Sequence, residues 1–335
     1  MKVAIHHHPG SFSDRWINYC KEKKIDYKLV NAYDSDIINQ MSDCDAFMWH
    51  FSHYDYKASL FAKQLLYSLE MSGLKVFPDW RTSWHFDDKV GQKYLLESIG
   101  APLVKSYVFY DEEDALKWVE GTSFPKVFKL RGGAGAANVK LIRTKKEAKR
   151  IIRIAFNKGF SQFNRKAYLK ERYNKWRQGR DSFIGVLKGF GRLFITTEFA
   201  KMHAREKGYV YFQDFVANND HDIRVIVIGD KAFSIKRLCR ENDFRASGSG
   251  RIIYEKEQLN EESVLISFHV ADQLKLQCVG FDFVYSDDRP LIVELGYGFL
   301  TSAYDKCAGY WSKDMVWHEG AFNPQEWMIE NLLHE

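Results

Sequence analysis

One stretch constrains this chain more than any other: Pro125-Lys126-Val127-Phe128-Lys129-Leu130-Arg131-Gly132-Gly133-Ala134-Gly135-Ala136-Ala137-Asn138-Val139-Lys140-Leu141-Ile142. It predicts strand, glycine-rich turn and strand, with Lys129 just ahead of the turn. Glycine leaves the backbone unobstructed, so successive N–H groups can close on an anion. A lysine on the incoming strand adds a point charge suited to phosphate. Two familiar nucleotide loops are excluded. A Walker A loop needs Gly-Lys-Ser/Thr leading into a helix, and the dinucleotide fingerprint also opens a helix. Here a β-rich run follows. The plain alternative is a surface hairpin with a loose turn, and the stretch by itself does not choose.

The remaining composition is that of an ordinary globular chain with room for two or three domains: 335 residues, 45% hydrophobic and 28% charged. At 16%, aromatic residues are numerous enough that many must be core. No apolar run approaches the roughly 18 residues of a membrane span. The start, Met1 through His8, reads as a strand running into polar residues, not as a signal peptide. Cys20, Cys44, Cys239, Cys278 and Cys307 are scattered, with spacing for neither zinc nor a disulfide framework. That points to a reducing cytoplasm. The formal net charge of +5 hides an asymmetry: residues 145–180 carry thirteen Lys/Arg against Glu147 and Glu171. Phe156, Phe160, Phe163, Tyr168, Tyr173 and Trp176 interleave with those charges. Such a block suits an anionic partner, an acidic glycan or peptide in preference to nucleic acid. A solvated helical face is the plain alternative.

Strands at 3–5, 27–30, 45–49 and 75–77 alternate with helices at 14–24 and 58–71, which predicts a small parallel sheet over residues 1–85. A helix follows at 84–99, stopped by Gly100 and Pro102. A strand at 107–109 and a helix at 111–120 lead into the glycine stretch. The basic region beyond it reads as helices broken at Gly159, Gly179, Gly185 and Gly189. From 209 the chain turns strand-rich: 209–216, 222–228, a Gly229-Asp230 turn and 231–238. A helix at 261–274, paired strands at 278–285 and 290–295, and a closing helix at 321–333 complete the reading.

Four separated motifs fall in order: Asp88-Lys89, Lys129 with its glycine loop, Gln213-Asp214-Phe215-Val216 with Asp222-Ile223-Arg224, and Asp282 followed by Glu294. Together they resemble the ATP-grasp superfamily, closest to its carboxylate–amine ligases such as the ribosomal-protein glutamate ligase, glutathione synthetase and D-alanine–D-alanine ligase. The resemblance covers roughly residues 1–305. It implies an α/β (α+β) ATP-grasp fold: a Rossmann-like pre-ATP-grasp domain at 1–85, a central subdomain with the lid and basic insert at 86–208, and a C-terminal subdomain with the metal and nucleotide site at 209–335. It implies ATP and Mg²⁺, with Mn²⁺ able to substitute.

The resemblance also implies roles. Lys89 and Lys129 match the lysines that hold the phosphates, and Gly132, Gly133 and Gly135 the mobile lid above them. Gln213, Asp214, Phe215 and Val216 match the hinge that clamps adenine, Gln213 toward the exocyclic amine, and Asp222 the ribose-binding acid. Arg224, Arg237 and Arg245 match the cations facing phosphates or an acyl-phosphate intermediate. Asp282 and Glu294 match the metal carboxylates. Asp282 lies in the apolar run Val279-Gly280-Phe281-Asp282-Phe283-Val284 and Glu294 ends Leu291-Ile292-Val293, settings in which an ionised carboxylate wants a cation. One position departs: the family usually carries Glu-x-Asn, and this chain has Glu294-Leu295-Gly296. No asparagine follows Arg245 either.

The function implied is amide formation between a carboxylate and an amine through an acyl phosphate. Two rivals keep the fold: a small-molecule kinase, and an ATP-binding regulator without turnover. His6 to His8, His50 and His53, at strand ends, face the crevice where open α/β sheets bind ligands. The aromatic tail from Tyr310 and Trp311 to Trp327 is expected to cover the site or to form a contact between copies of the chain.

Overall fold

The structure, a computed structural model, describes residues 1–133, 138–161, 204–241 and 243–334, with isolated positions between 169 and 190. Val3, Ala4 and Ile5 are apolar in succession, the pattern of a strand covered on both faces. They lie in β1 (Lys2–His6), at the centre of a four-stranded parallel sheet with β2 (Asp26–Val30), β3 (Ala46–Trp49) and β4 (Lys75–Phe77), in the order β2-β1-β3-β4. The crossovers carry α1 (Ser13–Lys23), α2 (Ile37–Gln40) and α3 (Tyr56–Met71). Asp55 caps α3 by accepting the N–H groups of Lys57 and Ala58.

The helix expected at 84–99 starts only at Lys89, and a separate short helix precedes it. Asp79 caps a short α4 (Trp80–Ser83), and Asp88 caps α5 (Lys89–Ser98) by accepting the Gly91 N–H. Between them Asp87 sits at φ +57, a left-handed conformation no helix continues through. Each aspartate offers the backbone a better bond at a helix start than inside one. The expected pattern placed Lys89 mid-helix; it is instead the first residue of one.

The central sheet is antiparallel, formed by β5 (Ser106–Phe109), β6 (Lys126–Lys129), β7 (Lys140–Ile142) and β8 (Val210–Asp214) in the order β5-β8-β6-β7. α6 (Glu112–Gly121) and α7 (Lys145–Phe156) cover it. Ala148, Ile151, Ile152 and Ala155 of α7 fall on one face and are buried with Phe128 and Phe212. The rest of the expected basic helical region, including Gly179, Gly189, Phe163 and Tyr168, lies outside the described residues.

The C-terminal sheet contains β9 (His221–Ile228), β10 (Lys231–Leu238), β11 (Ile252–Ile253), β12 (Cys278–Ser286), β13 (Arg289–Gly296), β14 (Gly309–Ser312) and β15 (Trp317–Glu319). Its order is β13-β12-β9-β10-β14-β15, with β11 paired to β10. α8 (Glu261–Leu274) covers one face through Val264 and Phe268 against Val225, Val227 and Phe281. The other face, carrying Ile226, Ile228 and Phe233, shares a single core with the N-terminal sheet. α9 (Pro324–His334) belongs to that shared core through Trp327, Met328 and Ile329. Strands β14 and β15 were not expected: their aromatics, read as a cover for the site, are internal. Trp311 is fully buried beneath α8, and Tyr310 packs on Phe322 and Trp327. Among the described residues no helix is long and apolar enough to cross a membrane.

Candidate active site

Strand periodicity builds the site. Asp222 and Arg224 are two apart on β9 and share a face with Ile226 and Ile228. The register then sets Arg237 of β10 opposite Asp222, Asp282 of β12 opposite Arg224, and Glu294 of β13 opposite Asp282. Four adjacent strands thus carry one charged row. Arg237 grips both oxygens of Asp222, at 2.7 and 2.8 Å, and reaches Asp282 Oδ2 at 3.0 Å. Arg224 Nε lies 3.5 Å from Asp282 Oδ1, an oxygen that is buried and has no hydrogen-bond partner among the described residues. Burial pushes the Asp282 carboxyl up, but the guanidiniums of Arg224 and Arg237 outweigh it and hold the group below the ordinary range.

The central sheet supplies the facing wall. Lys129 is buried, and its Nζ donates to Gln213 Oε1 at 2.7 Å. Burial pushes its ammonium down to about 8. Lys89 Nζ donates to the Gly133 carbonyl at 2.8 Å and lies 3.3 Å from Glu294. The root of the glycine loop is bonded to the turn before α5. Lys89 N–H donates to Arg131 O at 2.9 Å, Gly133 N–H to Asp87 Oδ1 at 2.7 Å, and Arg131 Nη2 to Asp88 at 2.7 Å. That turn is held from behind by Lys63 of α3, whose Nζ donates to the carbonyls of Trp84 and Phe86 at 2.8 and 2.9 Å.

A cavity of about 260 Å³ separates the two walls. Lys89, Lys129, Gly133, Gln213, Asp214, Phe215, Val216, Asp222, Arg224, Arg245, Asp282 and Glu294 all line it. Arg237 is not among its lining residues, Gly132 lines a neighbouring cavity, and Gly135 lies outside the described residues. Two of the side chains are already engaged. The Gln213 amide is spent on Lys129, Ser106 and the Val293 carbonyl, and the Asp214 carboxylate on Lys126 at 2.5 Å. The backbone of Gln213 and Asp214 is paired in the sheet, the Asp214 N–H donating to the Lys105 carbonyl at 2.9 Å, and the strand pairing stops before Phe215. Arg245 pairs with Asp243.

Asp282 and Glu294 could hold a hard cation: they are two carboxylates opposite each other in register, one with an orphaned buried oxygen. Among the described residues no group of three or more His, Cys, Asp or Glu forms a complete cage. The residues therefore fit a cation that takes further oxygens from another ligand. Gly296 adds nothing, since a Cβ there would meet the Phe86 ring at 3.5 Å.

Of the histidines expected at the crevice, only His53 lines the cavity. His50 stacks on Phe12 with ring centroids 3.6 Å apart, accepts the Phe12 N–H, and is pushed by burial to about 3. His6 is buried and accepts the Ala32 N–H. The sequence reading missed Lys63, Phe86 and Asp87. Their signal was the acidic pair Asp87-Asp88 ahead of Lys89, which reads as capping and hides a turn.

Residues 198–309 match the RimK-like ATP-grasp domain. A probable alpha-L-glutamate ligase of Legionella pneumophila is 30% identical over 105 residues, which are 30% of this chain and 33% of that protein. The chain spans about a third of the length of the curated relatives it matches. Among solved structures, the D-alanine–D-alanine ligase of Bacillus anthracis complexed with ATP aligns with 100% of this chain and 97% of that one, with a TM-score of 0.59 at 14% identity. A RimK domain ATP-grasp protein of Sphaerobacter thermophilus aligns over 100% of both chains, with a TM-score of 0.55 at 14% identity.

Proposed function

We propose that the chain is an ATP-dependent ligase of the ATP-grasp superfamily, joining a carboxylate to an amine; the match of residues 198–309 to the RimK-like ATP-grasp domain supports the reading. One observation carries the reading: Asp282 and Glu294 lie side by side on one wall of a cleft whose cations, Lys89, Lys129 and Arg224, converge on the same space. In this reading Phe215 and Val216, beyond the last paired residue of the strand, present backbone groups to adenine. Lys89, Lys129 and the amides at Gly132 and Gly133 receive the triphosphate. Bound Mg²⁺, held by Asp282 and Glu294, would supply charge neutralisation and alignment of the phosphate oxygens. Both Asp222 oxygens lie on Arg237, so we assign Asp222 to ordering that guanidinium and not to the ribose. The γ-phosphoryl passes to the substrate carboxylate, the amine attacks the acyl phosphate, and phosphate leaves. Arg224, Arg237 and Arg245 neutralise charge as it spreads. No side-chain nucleophile is needed, since positioning and electrostatics carry the rate.

The test is ADP release from a panel of amino-acid and uronic-acid substrates, wild type against Glu294→Gln. ADP should form only when acid and amine are both present, and not with the variant. ADP with a stable phosphorylated product and no amine would make the protein a kinase. A second reading, an ATP-binding regulator, draws on Phe86 lying over Gly296. Tight ATP binding with no ADP from any pair would favour it.

A further inference from the structure

A second cavity, of about 450 Å³, adjoins the nucleotide cleft, and the two share His53, Phe86 and Asp87. Its other charged lining residues, Lys63, Arg131 and Glu206, are engaged elsewhere. Lys63 spends its ammonium on the carbonyls of Trp84 and Phe86. Arg131 lies on Asp88, and Glu206 accepts the Tyr209 hydroxyl at 2.6 Å. Asp87 is different. Its Oδ1 takes the Gly133 N–H, while Oδ2 carries no hydrogen bond among the described residues. His53 has a hydrogen bond at neither ring nitrogen among the described residues, and its Nε2 is shielded from water. The junction of the two cavities thus holds a carboxylate oxygen and an imidazole that no group among the described residues satisfies. The carboxylate oxygen only accepts and a neutral imidazole has one accepting nitrogen, so a donor that carries positive charge suits both.

We propose that this second cavity is the amine subsite, taking a primary amine as its ammonium, which donates to Asp87 Oδ2 and to a ring nitrogen of His53 and gives one proton to that nitrogen, freeing the lone pair that attacks the acyl phosphate. The inference rests on the ligase reading. The location agrees with it, because Asp87 stands two residues before Lys89, at the end of the cleft where Lys89 and Glu294 meet. A free cation held there enters the cleft beside the phosphate-facing lysine without crossing the adenine end. The ammonium is also small enough to leave the cavity volume for the body of the substrate.

Hydroxylamine separates this inference from the reading beneath it. It is uncharged at neutral pH, captures acyl phosphates as hydroxamates, and needs no ammonium site. The full chain with MgATP is given each amino acid or uronic acid as the carboxylate. Hydroxamate is measured with hydroxylamine, and amide with each amino acid as the amine. Asp87→Asn keeps an oxygen for the Gly133 N–H and removes only the charge; His53→Gln is the second variant. The expected result is an amide-to-hydroxamate ratio reduced by about tenfold or more in each variant, through a raised KM for the amine, as loss of one charge-assisted hydrogen bond requires. If hydroxamate and amide fall in step, Asp87 serves only the glycine loop and the subsite is wrong. An unchanged ratio also overturns it, as does a wild type that forms hydroxamate but no amide with any amine. A wild type that forms no hydroxamate with any acid sinks the ligase reading itself.

Discussion

Lys129→Met should reveal a penalty built into the cleft. Lys129 is 5% exposed, and its one hydrogen-bonding partner, Gln213 Oε1, is neutral. Burial lowers the ammonium from 10.5 to about 8, Glu294 opposing the shift and Lys89 adding to it. A lysine whose folded value lies below its unfolded value destabilises the fold while it is charged. The penalty is complete below about pH 8, fades between 8 and 10.5, and is absent above. At about 1.4 kcal/mol per tenfold change, that interval is worth about 3 kcal/mol. Methionine never titrates. It also leaves Gln213 Oε1 buried without a donor, which costs about 1–3 kcal/mol, but at every pH alike. The difference between the two proteins therefore isolates the lysine. Guanidinium denaturation at intervals from pH 7 to 10.5 should show wild type gaining about 3 kcal/mol on the variant across that window. Parallel stability curves would refute the reasoning. The same argument reaches the nucleotide. A triphosphate restores the charge on Lys129, so MgATP binding near pH 8.5 should take up a proton in wild type and not in the variant. Calorimetry in two buffers of different ionisation heat reads that proton directly.

Two further substitutions test the sheet. Arg237→Met strips the shared guanidinium from Asp222 and Asp282, leaving buried carboxylates without compensation. It should cost about 3–5 kcal/mol near neutral pH, and a thermal midpoint within a degree of wild type would contradict the pairing. Gly309→Ala places a Cβ 2.2 Å from the His318 carbonyl oxygen, where β14 and β15 pair. Loss of about 2 kcal/mol or more is expected in chemical denaturation, and a neutral outcome would mean the two strands lie further apart.

Much of the site was legible because strands report themselves. The two-residue period that set Arg224 beside Ile226 also fixed which face Asp222 would share, and the apolar runs around Asp282 and ahead of Glu294 marked buried strands. Pairing partners were harder. That Arg237 would serve two carboxylates follows from the order β12-β9-β10, a long-range fact that no local pattern encodes. The turn before Lys89 was misread because Trp84, Phe86 and the residues after them have helical spacing, while two aspartates compete for the helix start. Lys63 was invisible for a similar reason. It lies on a helix far from the motifs, and only the folded chain shows that its ammonium ends on backbone carbonyls of that turn. Strands β14 and β15 were lost among aromatics that read equally well as surface cover.

The distribution of cores has a mechanical consequence. Trp16 of α1 and Phe47 and Phe77 of the N-terminal sheet share one apolar mass with Ile226 and Phe233 of the C-terminal sheet and with Tyr297 just past β13, and the Tyr297 hydroxyl donates to the Phe51 carbonyl between them. The central sheet keeps a separate, smaller core. It is strapped to the larger body near Pro102 and Val104, whose backbones bond both sides of Ile292 on β13. A clasp of this kind has one heavy jaw and one light one, with its fulcrum at that strap. Lys129 rides on the light jaw and the carboxylate row on the heavy one, so any change in the angle between them changes the distance from lysine to carboxylate without disturbing the apolar mass behind the row.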